Sequence, residues 1–308
     1  MALFSIVKEA SLSNFALSVV ITTYNRPDLL ARAVDSVVTE RSRHNKIQII
    51  VVDDASTTAQ PELAIDDLIF HRMPVNGGPG PARMQGLALA SSPWVLMLDD
   101  DDTLEPGTAE YLAARLPEPE TSMYPVYQFA VSKKNQKEEF RLITFDDYVN
   151  KTITGDFTPV FDREQFLGTG LRYPENRAGG EHLLWWKVAE KFGIPSYDRP
   201  LVRVSNDATV RLTHFSSQIS KAAYHQQLAE MALADFGERL QRDHPEEFRR
   251  IRLAHITYSL LNRQCATARQ SLKNAPLGDK LKMALWTISW LPHSLIKKLF
   301  ISYRQRQG

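Results

Sequence analysis

The stretch Trp94-Val-Leu-Met-Leu98 followed by Asp99-Asp100-Asp101-Asp102 decides the fold of this chain. Five consecutive apolar residues predict a buried β-strand, and the carboxylates directly after them predict that this strand ends at a polar cleft. Like charges placed together shift their pKa values or bind a cation. Because Mg²⁺ and Mn²⁺ prefer oxygen ligands, the stretch predicts a divalent metal site. A solvated acidic loop is the alternative, and the buried strand before it makes that alternative the weaker one.

Two further strands come earlier in the chain, and a helix joins them. Residues 17–23 and 47–52 are rich in β-branched side chains, which is typical of buried strands. Between them, apolar residues recur at helical spacing from Leu29 to Val37. A strand, a helix and a strand within about 35 residues predict a βαβ unit with parallel strands. The alternation continues to residue 98, so we expect an α/β fold with a mostly parallel central sheet flanked by helices.

Polar residues follow each of these strands. Thr23, Tyr24 and Asn25 come at the end of the first strand, and Asp53 and Asp54 at the end of the second. Ligands of open α/β sheets bind outside the carboxyl ends of the strands. We therefore expect these residues to lie along the same edge as the four aspartates.

A glycine-rich turn, Asn76-Gly-Gly-Pro-Gly-Pro-Ala-Arg83, precedes a predicted helix over residues 82–90. Glycines let the backbone approach a ligand closely, and a helix N-terminus attracts anions. An ordinary turn would have a similar composition. The cation at Arg83 and the position before the aspartates favour a phosphate-bearing ligand.

The composition limits the classes of function. The chain has 308 residues, of which 43% are hydrophobic and 24% charged, as in ordinary globular proteins. Its net charge of +1 gives no general argument for binding nucleic acid. The single cysteine, Cys265, excludes an intrachain disulfide framework and fits a reducing compartment. With no signal-peptide pattern and no long apolar run, we expect a cytoplasmic protein, free or peripheral on the cytosolic face of the inner membrane.

Residues 217–308 differ in kind from the rest of the chain. Apolar residues at helical spacing alternate with charges, which predicts a helical C-terminal extension. Its last part, Met283–Leu291, holds two tryptophans. An interfacial helix on anionic lipid and a helix packed on its own domain or on a second subunit both have this pattern, so association with a membrane surface through residues 280–306 stays open. Cations flank the tryptophans at Lys280, Lys282, Lys297, Lys298, Arg304 and Arg306.

Four motifs, in order and at the right spacing, resemble those of the family 2 glycosyltransferases. These are inverting enzymes of the GT-A fold that use nucleotide-diphosphate sugars. The resemblance covers residues 15–115, is thinner from 116 to 215 and is absent beyond 217. It implies a GT-A catalytic domain over 1–216, with a nucleotide-sugar-binding half at 15–115 and an acceptor-binding half at 116–216. The motifs are Ser18-Val-Val-Ile-Thr-Thr-Tyr-Asn-Arg-Pro27, Val51-Val-Asp-Asp-Ala-Ser56, Asn76-Gly-Gly-Pro-Gly-Pro-Ala-Arg83 and Leu98-Asp-Asp-Asp-Asp-Thr-Leu-Glu-Pro106.

The resemblance assigns donor contacts to several of these residues. Tyr24 would stack on the nucleotide base through its aromatic face. Asp54 would accept a hydrogen bond from the ring N–H of the base, and Asp53 is the weaker candidate for this role. Arg83 would face the base or the diphosphate as a planar cation. Further donor contacts are expected from Thr23, Asn25, Asn76 and Gly77.

The same resemblance divides the four aspartates. Asp99 and Asp101 would form the D-x-D motif around Mn²⁺ or Mg²⁺, and Asp101 would be the principal ligand. Asp100 would reach the donor sugar or ribose, and Asp102 is expected to cap the following turn. His214 is a further candidate metal ligand, as a late histidine is in some GT-A enzymes.

An inverting transfer also needs a base that removes the proton of the acceptor hydroxyl. The family places an aspartate four residues before a tryptophan on a helix, and Trp185 puts Glu181 at that position. An alignment shifted by one residue puts His182 there, and histidine can also act as a base. The resemblance favours Glu181, although the dipole of the helix would by itself favour an acid there.

The leading hypothesis is an inverting, metal-dependent glycosyltransferase with a UDP-sugar or another nucleotide-diphosphate sugar as donor. Its acceptor would be a glycan or a lipid-linked saccharide, as in the synthesis of bacterial surface polysaccharide or lipopolysaccharide. The unusual base position motivates an alternative, a non-catalytic nucleotide-sugar-binding subunit of a glycan-assembly complex. A nucleotidyltransferase shares the plan of strands ending in acids. The turn Tyr24-Asn-Arg-Pro27 and the strand end Asp53-Asp-Ala-Ser56 favour the glycosyltransferase.

Overall fold

The described part of the chain divides into two compact units in the computed structural model. The structure describes residues 16–41, 47–61, 63–131, 138–153, 155–205 and 215–305. The described residues within Met1–Glu175 and Glu181–Ala208 form the first unit. Those within Asn176–Gly180 and Thr209–Gly308 form the second. The predicted division into domains 1–216 and 217–308 stays a prediction. His214 lies outside the described residues.

An eight-stranded sheet forms the centre of the first unit. Its strands are β1 (Leu17–Thr23), β2 (Ile47–Asp53), β3 (Leu68–Arg72), β4 (Trp94–Asp99), β6 (Val126–Ala130), β7 (Phe140–Ile143), β8 (Phe157–Asp162) and β9 (Ile194–Tyr197). Across the sheet the order is β3-β2-β1-β4-β8-β6-β9-β7. The first four strands are parallel, β8 runs antiparallel to both its neighbours, and β7 runs antiparallel to β9. A separate two-stranded sheet joins β5 (Thr103–Leu104) to β10 (Val202–Arg203).

Side chains of the central strands alternate between two apolar cores. Val19 and Ile21 of β1 belong to one core, and Val20 belongs to the other. Because successive residues of a strand point to opposite faces, a strand buried on both faces is apolar throughout. This explains the uninterrupted run at 94–98. Helices pack on these faces: α1 (Pro27–Arg41), α2 (Pro79–Leu89), α3 (Thr108–Arg115), α4 (Phe145–Val149), α5 (Arg163–Gly168) and α6 (Glu181–Lys191).

The second unit is helical, as the sequence predicts. It has its own apolar core, to which Ile256, Leu260 and Leu272 contribute. No helix in the described part of the chain is both long and apolar enough to cross a membrane. The helices are α7 (Phe215–Ser220), α8 (Ala222–Asp243), α9 (Pro245–Leu261), α10 (Cys265–Lys273), α11 (Asp279–Ile288) and α12 (His293–Gln305).

Candidate active site

The carboxyl ends of three neighbouring strands carry the predicted polar residues. Strand β1 lies between β2 and β4, with Thr23 opposite Asp53 and Thr22 opposite Asp99. Because all three strands are parallel, their polar ends meet at one edge of the sheet. The structure therefore brings the ends of the first, second and fourth strands together, as the sequence predicts.

Asp100 lies inside the protein at this edge and is 4% exposed. The Thr23 hydroxyl donates to its Oδ2 at 2.8 Å, and Arg26 Nη1 donates to its Oδ1 at 2.9 Å. Burial raises the pKa of the Asp100 carboxyl, and these two hydrogen bonds oppose the rise. Asp100 thus ties β1 to the acidic run. Its contact with a donor stays a prediction, since both carboxylate oxygens already accept hydrogen bonds within the protein.

Asp99, Asp101 and Asp102 form the carboxylate group that could hold a metal ion. One oxygen from each lies within 4.8 Å of the others. The side chain of Asp99 is half exposed and that of Asp101 is 24% exposed, so the group faces outward from the sheet edge. Three converging carboxylates suit a hard divalent cation, which would also relieve the repulsion between them. These residues therefore fit Mn²⁺ or Mg²⁺.

The expected turn cap at Asp102 is wrong. The residues after Asp102 enter β5, and the next helix, α3, begins only after Gly107. Asp102 Oδ1 instead accepts a hydrogen bond from the Ser205 backbone N–H at 3.2 Å. Burial and the nearby charge of Asp99 raise the pKa of Asp102 to about 7. Asp102 therefore belongs to the carboxylate group.

Arg83 connects this group to helix α6. Its Nη2 donates to Asp99 Oδ1 at 2.6 Å, and its Nη1 donates to Glu181 Oε1. The guanidinium is buried, with its Cζ 5.6 Å from the centroid of the Tyr173 ring. Burial lowers the pKa of Arg83, but the charges of Glu181 and Asp99 outweigh it and hold that pKa above its ordinary value. One buried cation therefore holds two acids that are distant in sequence.

Glu181 and His182 begin α6 and contact different neighbours. Successive helical residues point about 100° apart, so adjacent side chains cannot share a direction. Glu181 pairs with Arg83, whereas the ring of His182 packs edge-on against Trp186 at 5.6 Å. Through Arg83, the contacts of the described residues bring Glu181 together with the carboxylate group.

Asn25 joins the end of β1 to the loop that follows β2. Its backbone has a positive φ of 55°, and its Oδ1 accepts from the backbone N–H groups of Thr57 and Thr58 at 2.7 and 3.1 Å. Its own N–H donates to Ser56 Oγ at 2.8 Å. The neighbouring Tyr24 ring is 42% exposed. Asn25 thus shapes the loop that presents Tyr24, and contacts of both residues with a donor stay predictions.

Asp54 shapes the glycine-rich turn. Its two carboxylate oxygens accept from the backbone N–H groups of Gly77 and Gly78, both at 2.8 Å, and Asn76 Nδ2 donates to its carbonyl at 3.2 Å. Each oxygen has a second lone pair, so a bond from a base N–H stays a prediction. Asp53 is fully buried and accepts from the Ser56 N–H at 3.0 Å. Asp53 therefore stabilises the loop that follows β2.

The sequence of this chain matches a known family over the same elements. Residues 18–179, more than half of the chain, match the family described as Glycosyl transferase family 2. The chain belongs to glycosyl transferase family 2. The resemblance noted in the sequence is thereby confirmed, and this family 2 glycosyltransferase is a transferase enzyme. Membership of this family makes the alternative hypothesis of a nucleotidyltransferase wrong.

The names of two relatives of this family 2 glycosyltransferase state what those proteins do. It is 26% identical over 293 residues to the succinoglycan biosynthesis protein ExoO of Rhizobium meliloti, covering 86% of this chain and 80% of that protein. It is 29% identical over 185 residues to the GalNAc(5)-diNAcBac-PP-undecaprenol beta-1,3-glucosyltransferase of Campylobacter jejuni, covering 55% of this chain and 58% of that protein. These similarities place it among relatives of bacterial polysaccharide synthesis.

Solved structures confirm the GT-A fold. Residues 1–349 of Staphylococcus aureus TarS, in complex with UDP-GlcNAc, match with a TM-score of 0.56 at 18% identity, covering 94% of this chain and 92% of that one. The mannosyltransferase PcManGT of Pyrobaculum calidifontis, in complex with GDP-Man and Mn²⁺, matches with a TM-score of 0.53 at 19% identity, covering 92% and 84%. At these identities the likeness concerns the fold alone.

Two charged residues of the family 2 glycosyltransferase site were missed in the sequence. Arg26 contacts Asp101 Oδ2 at 3.2 Å as well as Asp100, and its place inside the Tyr24-Asn-Arg-Pro27 motif was the available signal. Asp156 precedes β8. Burial, then the charges of Glu181 and Asp99, raise the pKa of its carboxyl. No motif surrounds Asp156, so only the fold reveals that it lies within electrostatic reach of these acids.

The segment 176–180, directly before Glu181, is held by hydrogen bonds of the Asn176 side chain. Asn176 Nδ2 donates to the Tyr224 carbonyl and to Gln227 Oε1, both at 3.0 Å, and Asn176 Oδ1 accepts from the Ala178 N–H at 2.8 Å. Asn176 itself is 1% exposed, and removing its amide removes all three of these hydrogen bonds. The amide of Asn176 therefore restrains the backbone that leads into Glu181.

Replacing Asn176 with alanine is expected to lower kcat about tenfold while the donor KM changes little, because Glu181 is the predicted base and small displacements of such a group are costly. Steady-state kinetics on the purified variant measure this split. Arg177→Ala is the matched control, since this exposed neighbour contributes its carbonyl rather than its side chain to the contact with Lys221. Equal kcat values in the two variants would contradict the prediction.

Proposed function

We propose that this chain is an inverting, metal-dependent glycosyltransferase that transfers a sugar from a UDP-sugar to a lipid-linked saccharide or growing glycan. The observation that carries the proposal is the bridge formed by Arg83 between Asp99 and Glu181. It joins a group of carboxylates able to hold a metal to a separate carboxylate able to act as a base. An inverting transfer needs these two functions in one site.

Asp99, Asp101 and Asp102 would hold Mn²⁺ or Mg²⁺. Such an ion, when bound, stabilises the negative charge of the departing nucleoside diphosphate as a Lewis acid. The convergence of three carboxylate oxygens supports this assignment, and so does the Mn²⁺ bound to the similar mannosyltransferase. Asp100 accepts hydrogen bonds from Thr23 and Arg26 and thereby fixes the position of the four aspartates.

Glu181 would accept the proton of the acceptor hydroxyl as that hydroxyl attacks the anomeric carbon. A carboxylate at the start of a helix has few restraints of its own, and Arg83 supplies one by binding its Oε1. Arg83 is in turn buried against Tyr173. Arg83 is therefore a positioning residue for the base, and His182 is the second choice because its ring packs against Trp186.

The donor and acceptor classes draw support from the relatives. The TarS complex contains UDP-GlcNAc, and the name of the Campylobacter enzyme specifies an acceptor carried on undecaprenyl diphosphate. A polyprenyl-linked acceptor would place this chain at the cytosolic face of a membrane. Tyr24, half exposed beside the sheet edge, is available to stack on the uracil base.

The proposal is tested by measuring nucleoside diphosphate release and product stereochemistry. The purified protein is screened against UDP- and GDP-sugars with Mn²⁺, and products are examined by NMR for the configuration of the new bond. An inverted configuration supports the mechanism, whereas retention would overturn it. Metal-dependent nucleotide binding without turnover on any acceptor would instead support a non-catalytic subunit.

Metal binding is expected to raise the melting temperature more at about pH 8 than at about pH 6, because metal ligands must be deprotonated. The metal-free pKa of Asp102, about 7, lies above the ordinary value of 3.8. The folded protein therefore holds this proton more tightly than the unfolded chain, and the contribution of Asp102 to metal-free stability falls as pH rises from about 4 through about 7. Differential scanning fluorimetry with and without Mn²⁺ measures both effects.

Asp102→Asn provides the control for this pH dependence. The amide does not titrate, so the variant is expected to lose both the metal-induced shift and the contribution of Asp102 to the metal-free pH dependence. An unchanged Mn²⁺ shift in this variant would remove Asp102 from the metal site.

A further inference from the structure

Helices α11 and α12 of the second unit and the turn between them expose six large side chains. Trp286 is 53% exposed and Trp290 is 63% exposed, and their ring centroids lie 5.6 Å apart. Large apolar side chains grouped together on a surface mark interaction sites. We call Met283, Trp286 and Trp290 the tryptophan face, and α12 exposes Leu295, Leu299 and Tyr303 in a stripe of its own.

Helical spacing separates the tryptophan face from the side of each helix that packs inward. Met283 and Trp286 are three residues apart on α11, Trp290 lies in the turn that follows, and the three exposed residues of α12 follow at intervals of four. A different stripe, including Leu285 and Ile296, packs into the core of the unit. Packing on the protein itself accounts for the inner stripes, whereas the side chains of the tryptophan face stay largely exposed.

Charge is distributed unevenly around this face. Residues 261–308 contain nine Lys or Arg and one acid, Asp279, which is a net charge of +8. Since the whole chain has a net charge of +1, residues 1–260 have a net charge of −7. The cations within eight residues of the tryptophan face in sequence are Lys280, Lys282, Lys297 and Lys298. The exposed apolar surface is therefore accompanied by strong positive charge.

A contact with Arg269 holds the exposed ring of Trp290 in one orientation. The guanidinium carbon of Arg269 lies 4.3 Å from the centroid of its ring, and Arg269 Nη1 also contacts the Ser289 hydroxyl at 3.3 Å. A cation over a ring face contributes a modest attraction at exposed sites. The ring is thus held in place with much of its surface accessible, which reduces the entropy lost when it contacts a partner.

We propose that the tryptophan face docks on a membrane surface rich in anionic lipids. Tryptophan and tyrosine prefer the headgroup level, and Lys and Arg beside an interfacial helix are attracted to anionic headgroups. Symmetric docking of a second copy through the same face would bring like-charged groups together, and like charges across an interface are unfavourable. The inference deepens the proposed function, since a lipid-linked acceptor lies at such a surface.

Vesicle co-sedimentation of the full chain tests this inference without donor, metal or acceptor. The wild-type protein is expected to bind vesicles containing about 30% phosphatidylglycerol and to bind pure phosphatidylcholine at least tenfold more weakly, with weaker binding at high salt. Trp286→Ser/Trp290→Ser is expected to lower the affinity about tenfold or more. The quadruple Lys→Gln variant at 280, 282, 297 and 298 is expected to lose the preference for anionic vesicles.

Phe70→Ser/Phe140→Ser is the matched control, since it removes two comparably exposed aromatic rings from edge strands of the sheet. Circular dichroism and melting curves confirm that each variant is folded. Equal vesicle binding by wild type and the tryptophan variant overturns the inference. A concentration-dependent dimer that only the tryptophan variant loses overturns it in favour of a second copy.

The outcome is separable from that of the proposed function. Hydrolysis of a nucleotide sugar in lipid-free solution is expected to be unchanged in the tryptophan variant. Loss of vesicle binding with hydrolysis retained supports the membrane role of the face. Vesicle binding by a wild-type protein that transfers no sugar would support the face while contradicting the proposed function.

Discussion

Glu181→Gln is expected to slow sugar transfer by about 100- to 10,000-fold, the range lost when a positioned general base is removed. Glutamine keeps the length of the side chain and an oxygen that can accept from Arg83 Nη1, as Glu181 Oε1 does. The site should therefore keep its shape and lose only its ability to take a proton. The donor KM should change little, because the base acts on the acceptor hydroxyl.

Initial rates at saturating donor and acceptor measure this loss. His182→Asn is the matched control on the adjacent residue and is expected to stay near the wild-type rate, since the His182 ring packs against Trp186. The reverse pattern, with a large loss only in His182→Asn, would assign the base to His182.

Glu181→Asp separates charge from reach at the same position. Aspartate keeps the carboxylate and restores the residue type that the family places there, but it is one methylene shorter. A displacement of about 1 Å can cost up to 100-fold in rate, so we expect a rate between those of wild type and Glu181→Gln. A rate above that of wild type would indicate that Arg83 does not need the longer side chain to hold the base.

The parallel half of the sheet was predictable because its strands are buried on both faces. Strand β4 then begins with an unbroken apolar run, β1 is apolar at Val19, Val20 and Ile21, and each strand ends at polar residues. The second half of the sheet mixes parallel and antiparallel pairs, and its strands β7 and β9 have four residues each. Short strands with mixed exposure carry little periodic signal, so their order was not readable from the sequence.

The separate roles of the four aspartates could not be predicted from the residues alone. Adjacent identical residues give no indication of which carboxylate points inward, because that depends on the local backbone and on distant partners. The Asp102 N–H donates to the Asp99 carbonyl at 3.1 Å, and Asp102 Oδ1 accepts from Ser205, 103 residues away. These contacts bring Asp102 into the carboxylate group. Likewise, the motifs indicated Arg83 and Glu181 separately, and only the fold pairs residues 98 positions apart.

Asp101→Asn is expected to lower the transfer rate by 100-fold or more at limiting Mn²⁺, since a catalytic metal contributes several kcal/mol and each ~1.4 kcal/mol is a factor of ten. The amide keeps one oxygen but loses the charge that a hard cation requires. It can still accept from Arg26, which lies 3.2 Å from Asp101 Oδ2. The loss should therefore appear in metal affinity rather than in folding, and raising the Mn²⁺ concentration should recover part of the rate.

Asp100→Asn distinguishes a metal ligand from a structural carboxylate in the same run. Both Asp100 oxygens accept bonds from donors, so an amide would turn an N–H toward the Thr23 hydroxyl or Arg26. This variant is expected to melt at a lower temperature and to keep its Mn²⁺ affinity. Asp67→Asn, at a largely exposed carboxylate paired with Arg41, is the surface control and should match wild type in both measurements.

Isothermal titration with Mn²⁺, read beside the melting temperatures, decides between these roles. If Asp101→Asn binds Mn²⁺ as wild type does while Asp100→Asn does not, the metal lies at the buried carboxylate and the assignment of the outer group is wrong. We expect the opposite pattern, in which Asp100→Asn binds Mn²⁺ and Asp101→Asn does not. A cation that contacts the diphosphate of a donor must lie where the donor can reach it from the solvent. Asp101, 24% exposed beside the half-exposed Asp99, meets that requirement, and Asp100, enclosed by Thr23 and Arg26, does not.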